Sequence, residues 1–206
     1  MSRGNDGGRD RWRWSAAARR LFTLVLACLS LIFTLPGIAQ AAGSYHFDFK
    51  ITGFDWPTDV ATAPEGDMYV ADTFHNRIVK YTATGTFITE WGTSGTGNGQ
   101  FTSPRSVATD SSGNVYVVDY TDRVQKFTPA GVFVSAWGTS GSGNGQFDDP
   151  EGIAVSNDGD VYVADTDNDR VQRFSTSGDY LGQWGTEGFG NGQFDDPSGI
   201  ATDNFG

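Results

Sequence analysis

Two pairs of adjacent carboxylates are the most conspicuous chemical feature of this sequence. Asp148-Asp149 and Asp195-Asp196 each follow a glycine-rich stretch and precede a proline. Carboxylate oxygens are hard ligands that suit Ca²⁺, so these four side chains are candidate calcium ligands. Asp side chains more commonly cap loops by accepting hydrogen bonds from nearby backbone N–H groups. The sequence therefore offers calcium as an optional cofactor and requires none.

Pairs of one aspartate and one arginine also recur along the chain, once in each copy of a longer pattern. The pairs are Asp72 with Arg77, Asp119 with Arg123, and Asp165 with Arg170. A catalytic pair is expected once, whereas these recur in every copy of a longer pattern. We therefore predict structural ion pairs that brace a loop through charge-assisted hydrogen bonds.

The position that follows each of four prolines changes its chemistry while its surroundings repeat. It is occupied by Thr58, Arg105, Glu151 and Ser198. Variable side chains in the loops of a rigid scaffold are typical of a recognition surface, although exposed polar positions also drift. Phe74 and Tyr120 lie in nearby loops and do not recur in the other copies. These six residues form the predicted ligand-binding lip.

The remaining polar residues do not form a recognisable catalytic set. His46 and His75 are the only histidines, one in a predicted strand and one in a loop, which is too few for a histidine-bound metal. The glycine-rich connectors lack a Gly-Lys-Ser/Thr ending and lead into a strand, so no helix N-terminus is available to bind a phosphate. We assign no catalytic residue from the sequence.

These residues belong to an internal repeat. Pro57, Pro104, Pro150 and Pro197 are 47, 46 and 47 residues apart. In the third copy, short strands are predicted at 153–155, 160–165, 170–174 and 180–184, with turn residues between them. Four strands in a repeat of this length indicate an all-β fold, a β-propeller of four-stranded antiparallel blades.

Strand order then predicts which loops lie together. If the first strand of each blade lines the channel, the connectors from the fourth strand to the next first strand share one face with the loops from the second strand to the third. We call this the upper face. The predicted lip and the paired carboxylates both lie on it, where loops positioned by a rigid scaffold carry function.

Residues 147–185 combine Phe-x-x-Pro-x-Gly-Ile-Ala, Gly-Asp-Val-Tyr-Val-Ala-Asp-Thr, Asp-Arg-Val-Gln-Arg-Phe and Gly-Gln-Trp-Gly. This pattern closely resembles the NHL repeat, and the resemblance covers residues 54–206. Proteins similar to this usually form six-bladed propellers, so the resemblance implies about three and a half blades of a presumed six-bladed ring. The loop at 119–123 is one residue shorter than its counterparts and is predicted to differ in shape.

The N-terminal region differs in composition from the repeats. An arginine-rich start, an apolar run at 21–38 and the sequence Ala39-Gln40-Ala41 predict a signal peptide at 1–41. The protein is then exported, extracellular or periplasmic, and is membrane-anchored if the segment is not cleaved. Residues 42–53 are predicted as an orphan strand that latches the ring in a full propeller. Residues 54–206 hold blades 1–3 and the start of blade 4, so we expect a piece of a longer reading frame.

The negative net charge of the chain excludes some classes of partner. The chain has a formal net charge of −11, although six of its 14 basic residues lie before residue 21. An acidic surface repels phosphate backbones and anionic lipids, so we expect no nucleic acid and no membrane partner beyond the signal or anchor segment. The leading hypothesis is a non-catalytic scaffold for a protein, peptide or glycan ligand. The alternatives are a calcium-dependent hydrolase or lyase with its site at the channel mouth, and a sensor or adhesion segment of a longer surface protein.

Overall fold

The computed structural model of the chain describes residues 50–203. Within this range, twelve strands form three four-stranded antiparallel sheets, each in sequential order. Blade 1 contains β1 Pro57–Thr62, β2 Met68–Asp72, β3 Arg77–Tyr81 and β4 Phe87–Trp91. Blade 2 contains β5 Pro104–Thr109, β6 Val115–Asp119, β7 Arg123–Phe127 and β8 Phe133–Trp137. Blade 3 contains β9 Pro150–Val155, β10 Val161–Asp165, β11 Arg170–Phe174 and β12 Tyr180–Trp184.

The predicted all-β blade architecture is confirmed. In blade 3 the first strand begins at Pro150, three residues before its predicted start, because the residues after the proline also pair with β10. The other three strands agree with the prediction to within one residue. The predicted signal peptide at 1–41 and most of the predicted latch strand at 42–53 lie outside the described residues, and residues 50–53 are not in a strand.

Local sequence explains the strands and their turns. β6 and β10 read VYVVD and VYVAD, and β-branched and aromatic residues favour strands because they pack well on a pleated surface. Short turns join the antiparallel strands. At the turn after β5, the Asp110 carboxylate accepts hydrogen bonds from the N–H groups of Ser112 and Asn114, at 2.9 Å each, and Gly113 supplies a positive φ of 78°.

The hydrophobic core lies between neighbouring blades. One cluster joins blades 1 and 2 and contains the fully buried Tyr69, Ile78, Phe101 and Phe127. A second cluster joins blades 2 and 3 and is built from the corresponding residues Tyr116, Val124, Phe147 and Phe174. A blade thus buries its faces against its neighbours, as repeat architectures require.

The tryptophans that end outer strands β4 and β8 contribute to this stacking. The Trp137 ring packs so closely on Gly178 of the next blade that a Cβ there would lie 2.7 Å from the ring. Trp91 packs in the same way on Gly131. Trp184 ends the outer strand of blade 3 and is 46% exposed.

The loop after each second strand has the predicted difference in shape. In blades 1 and 3 it forms a single 3-10 turn, at Thr73–His75 and Thr166–Asn168. In blade 2, residues 120–122 form a simple turn, because the loop is one residue shorter. Among residues 50–203, no helix has the length and apolarity needed to cross a bilayer.

Candidate functional site

The connectors and the second-to-third-strand loops meet on one face, as the strand order predicts. The N–H of Asp167 donates to the carbonyl of Asp148 at 3.1 Å, which joins a blade 3 loop to the preceding connector. The N–H of Tyr120 donates to the carbonyl of Thr102 at 2.9 Å, which makes the same link in blade 2. The upper face is therefore held together by backbone hydrogen bonds beneath the exposed side chains.

Under this face the structure contains the three Asp–Arg ion pairs. The nitrogen-to-oxygen distances are 2.7 Å for Arg77 and Asp72, 3.2 Å for Arg123 and Asp119, and 2.6 Å for Arg170 and Asp165. The three carboxylates are buried, and a buried carboxylate is costly unless it is paired and hydrogen-bonded. We call these pairs and their hydrogen-bond partners the braces.

Each arginine also binds the backbone of the connector that runs past it. Arg170 donates to the carbonyls of Ser142, Gly143 and Gln146 at 2.8 to 3.0 Å. Arg123 donates to the carbonyls of Thr96 at 2.6 Å and Gln100 at 2.9 Å. The guanidinium groups therefore tie the glycine-rich connectors to the blades, which gives the recurrent arginines a structural task.

Sequence reasoning missed two further members of the braces. Gln125 and Gln172 are fully buried, and each side-chain amide hydrogen-bonds the backbone of a glycine-rich connector. The Gln172 amide accepts from the N–H of Gly145 at 2.9 Å and donates to the carbonyl of Gln146 at 2.6 Å. The signal in the sequence was a glutamine two residues after the arginine in blades 2 and 3, at a position where strand alternation predicts burial.

A third donor to each buried Asp differs from blade to blade. His75 donates from Nδ1 to Asp72 Oδ2 at 2.8 Å, and Asn168 donates to Asp165 Oδ1 at 2.9 Å. Thr121 takes this place in blade 2 through its hydroxyl group. His75 is therefore one of several residue types that satisfy the same structural need.

The last residue of each loop between the second and third strands hydrogen-bonds the connector that leads into the next blade. Asn76, Asp122 and Asp169 are left-handed, and each side chain accepts a hydrogen bond from the connector N–H just before the next proline. These distances are 2.8, 3.1 and 3.0 Å. The recurrence shows that a short polar side chain is needed here by the fold.

The four variable positions after the prolines line one cleft. Thr58, Arg105, Glu151 and Ser198 surround a volume of about 370 Å³ beside the first strands, together with Asp59. We call it the channel cleft. The structure therefore brings together the four post-proline residues of the predicted lip, which come from four successive repeats.

Arg105 is the centre of this group. One guanidinium nitrogen lies 2.7 Å from an Asp149 carboxylate oxygen, and the other binds Glu151. The guanidinium also lies 5.3 Å from the centre of the Tyr120 ring, within the range of a cation–π contact. Two predicted ligand contacts, Arg105 and Glu151, are thus bound to each other across the junction of blades 2 and 3.

A second cleft of about 270 Å³ adjoins the first and shares Thr58 and Arg105 with it. Its aromatic lining comes from Trp56, Phe74 and Tyr120, so we call it the aromatic cleft. Hydroxyl groups of Thr58, Thr73 and Ser103 complete the wall. The Thr58 hydroxyl lies 2.7 Å from that of Thr73 and donates to the carbonyl of Arg105 at 2.7 Å, which joins blade 1 to blade 2.

Trp56 is the aromatic residue of this cleft that sequence reasoning missed. Its ring stacks on Phe74 with centres 5.8 Å apart and planes 19° apart, and both rings are 56% exposed. Its backbone is left-handed, with φ of 54°, as are its counterparts Ser103 and Asp149. Asp and Ser are common turn residues, whereas a bulky residue with positive φ is an outlier that often marks a functional site. The substitution of Trp for a turn residue before Pro57 was the signal in the sequence.

The structure separates the four candidate calcium ligands. Asp149 binds Arg105, whereas Asp195 and Asp196 lie with Asp169 in a group whose oxygens are all within 4.8 Å of one another. Exposed carboxylates often cluster at loop ends without an ion, and Asp169 already accepts a hydrogen bond from the N–H of Asp196. Calcium binding stays a prediction from the sequence.

The pKa of Asp148 shows the effect of the neighbouring negative charges on this face. Its pKa is raised above the usual 3.8 by partial desolvation and then by neighbouring carboxylates, of which Asp167 and Asp122 contribute most. Like charges disfavour the ionised form of a carboxyl group. The loops around blade 3 therefore carry a negative potential.

A family model identifies the repeat. The model of the NHL repeat matches residues 147–174, the span of the buried connector phenylalanine, β9, β10 and β11. Residues 147–174 therefore form an NHL repeat within a blade of β-propeller type. The repeats of the chain supply the braces, and the residues of the lip differ from one repeat to the next.

One known protein is similar to a segment of this sequence, and one known structure superimposes on this fold. A segment of 61 residues is 44% identical to mouse peptidyl-glycine alpha-amidating monooxygenase, and it covers 27% of this chain and 6% of that protein. A hydrazine synthase structure from Kuenenia stuttgartiensis superimposes with a TM-score of 0.55 at 16% identity, covering 76% of this chain and 42% of that one.

Two further structures share the propeller architecture. A nidogen/laminin complex gives a TM-score of 0.54 at 19% identity, with 72% and 53% of the two chains covered. A catalytically inactive virginiamycin B lyase from Staphylococcus aureus, solved with quinupristin, gives 0.53 at 20% identity, with 70% and 45% covered. At these identities the likeness shows the fold alone, and the chain spans about half the length or less of each of these structures.

Proposed function

We propose that this protein is an exported, non-catalytic scaffold that binds a protein, peptide or glycan on its upper face. One observation carries the proposal: Trp56, Phe74 and Tyr120 expose their rings around one cleft, although they come from different loops. Exposed aromatic side chains that converge on a concave site are typical of ligand contacts, because they bury a large area at little cost in conformational entropy.

The rigidity of the cleft supports the proposal. Thr58 is hydrogen-bonded across the blade junction, and Arg105 is held by two carboxylates, so the polar part of the wall is organised before a ligand arrives. Preorganised sites lose less conformational entropy on binding. The braces beneath the lip hold the loops in place without using any of the exposed rings.

The proposal extends to partners of the kinds that the fold relatives' structures contain. The nidogen/laminin structure is a complex of proteins, and the lyase structure contains quinupristin. These are properties of those proteins.

A binding screen tests the proposal. The protein is applied to an array of peptides and an array of glycans, and each positive ligand is tested again with Tyr120→Ala and Phe74→Ala. We expect binding that falls at least several-fold in both variants, because each removes an exposed ring from the cleft. The control is Phe189→Ala, which removes a ring that is 92% exposed in another connector. Ligands whose binding is unchanged in the cleft variants would contradict the proposed site.

A further inference from the structure

The dipeptide Asn-Gly occurs once in each of the three glycine-rich connectors, at Asn98-Gly99, Asn144-Gly145 and Asn191-Gly192. Asparagine loses its side-chain amide most readily before glycine, because glycine has no side chain to obstruct attack by its own backbone nitrogen. The three asparagines are exposed, so water reaches each of them. The connectors therefore contain three candidate sites for the same covalent change.

The change proceeds through a cyclic imide. The backbone nitrogen of the glycine forms a bond to the asparagine Cγ, and the bond from Cγ to the side-chain nitrogen breaks. The leaving nitrogen takes the backbone proton and departs as ammonia. Water then opens the imide at either carbonyl, which gives aspartate or isoaspartate. Water is the only other reactant, so the rate depends on how freely the glycine nitrogen can lose its proton and reach Cγ.

The three Asn-Gly turns have the same backbone geometry. In each turn, the N–H of the glutamine after the dipeptide donates to the carbonyl of the glycine before it, at 3.1 Å. The side chain of the same glutamine accepts from the N–H of that glycine at 2.9 to 3.0 Å. The φ values of Gly99, Gly145 and Gly192 are 74°, 75° and 75°, as a type II turn requires at its third residue. The turns themselves therefore give the three asparagines equal reactivity.

The buried glutamines of the braces hold two of the three glycine nitrogens. The N–H of Gly99 donates to the side-chain oxygen of Gln125 at 2.9 Å. The N–H of Gly145 donates to that of Gln172, also at 2.9 Å. Ring closure at these two sites requires the hydrogen bond to break and the connector to open locally, which costs free energy. Within the described range 50–203, no glutamine side chain accepts from the N–H of Gly192, which is exposed.

We propose that Asn191 is a site of spontaneous deamidation. Gln125 and Gln172 protect the two earlier Asn-Gly sites from the same reaction, a second role beside their structural one. The proposal is independent of ligand binding on the upper face, because it concerns the backbone of the connectors. Each conversion adds a carboxylate to a chain whose formal net charge is already −11. The isoaspartate product also lengthens the backbone of the turn by one methylene group.

The test follows the 206-residue chain during incubation in mildly alkaline buffer, in which the glycine nitrogen loses its proton more readily. Samples are digested with trypsin beside an unincubated control, and the deamidated fraction of each peptide is measured by mass spectrometry. The three sites fall on separate tryptic peptides, 81–105, 127–170 and 174–206. We expect Asn191 to deamidate at least about fivefold faster than Asn98 and Asn144, because one hydrogen bond fewer must break. Isoaspartate is expected among the products.

Two matched variants separate the hydrogen bond from the general stability of the fold. Gln125→Met removes the acceptor of the Gly99 N–H and leaves Gln172 in place. We expect deamidation of Asn98 to rise about fivefold in this variant, while that of Asn144 stays within about twofold of the parent. Gln172→Met is expected to give the converse result. Unfolding midpoints measured on the same samples confirm that each variant is folded.

Equal rates at the three sites of the parent chain overturn the proposal, and this comparison needs no variant. Equal rises at Asn98 and Asn144 in Gln125→Met also overturn it, because a general loosening of the fold then sets the rates. Conversion to aspartate without any isoaspartate excludes the cyclic imide, and with it the part that the glycine nitrogen plays.

Discussion

The braces and the lip of the upper face lie a few residues apart and obey different rules. In the braces, Asp72, Asp119 and Asp165 are buried with an arginine on each, and this ion pair recurs in three blades. In the lip, the position after each proline is a different residue in all four copies. Buried charges must be fully paired, so substitution there is costly. Exposed positions carry no such requirement and are free to serve a ligand.

This contrast predicts that brace variants lose stability and that lip variants lose binding. The largest effect is expected for Arg170→Met, which leaves the fully buried Asp165 without its cation. We expect the free energy of unfolding to fall by about 3–5 kcal/mol, measured by urea titration. The control is Arg173→Met in the same strand, where the side chain is half-exposed and its ion pair with Asp160 contributes less than about 1 kcal/mol. Similar losses in the two variants would contradict the brace.

The second-largest loss of stability is expected when the packing between neighbouring blades is disturbed. In Gly178→Ala, the new Cβ lies 2.7 Å from the Trp137 ring, and the residue has a φ of 91°. We expect a loss of about 2–3 kcal/mol in thermal unfolding, because the ring must move and Ala is strained at positive φ. Gly182→Ala is the matched control, since nothing lies within 4 Å of its Cβ. A Gly178 variant as stable as the control would show that the blades do not pack as described.

A buried tyrosine gives a pH-dependent effect within the scaffold. Tyr116 donates to Asp110 at 3.0 Å, and burial, followed by repulsion from Asp110, raises its pKa far above the usual 10.0. The folded protein then keeps this proton at a pH where the unfolded chain releases it. Stability from this group is complete below pH 10 and is lost as the pH rises above 10 toward the folded pKa.

Tyr116→Phe tests this linkage. We expect a loss of about 1 kcal/mol near pH 7, because one hydrogen bond to a buried carboxylate is removed. Urea titrations at increasing pH are expected to show a shallower alkaline decline in the variant than in the parent. Parallel declines would mean that Tyr116 does not remain protonated in the folded state.

The smallest stability effect is expected for Trp56, which lies in the aromatic cleft beside the lip residues Phe74 and Tyr120. Trp56→Asn relieves a left-handed bulky residue, a gain of about 1 kcal/mol, and removes a ring stack, a loss of about 1 kcal/mol. The free energy of unfolding should therefore change by less than about 1 kcal/mol, while binding to the upper face is lost. Thermal unfolding and titration with a ligand selected on the arrays measure the two quantities on one sample. A loss of stability as large as that of Arg170→Met would place Trp56 among the braces.

The strands, the shared upper face and the short loop of blade 2 could be predicted because they depend on periodicity and on local turn residues. The bond between Arg105 and Glu151 could not, since it joins residues 46 positions apart across a blade junction. The Trp56–Phe74 stack also escaped prediction, because Trp56 occupies a position that Ser103 and Asp149 fill with turn residues. The grouping of Asp169 with Asp195 and Asp196 needed the geometry of the loop beside the connector.

The most direct test of the division between scaffold and lip follows the indole N–H signals of the tryptophans by NMR while a ligand selected on the peptide or glycan array is added. The Trp56 ring is exposed in the aromatic cleft, the Trp91 and Trp137 indole nitrogens are buried between blades, and the Trp184 ring is 46% exposed outside the cleft. We predict that the Trp56 signal shifts progressively with ligand concentration and that the signals of Trp91, Trp137 and Trp184 do not move. An unchanged Trp56 signal, or an equal shift at Trp184, would contradict the account.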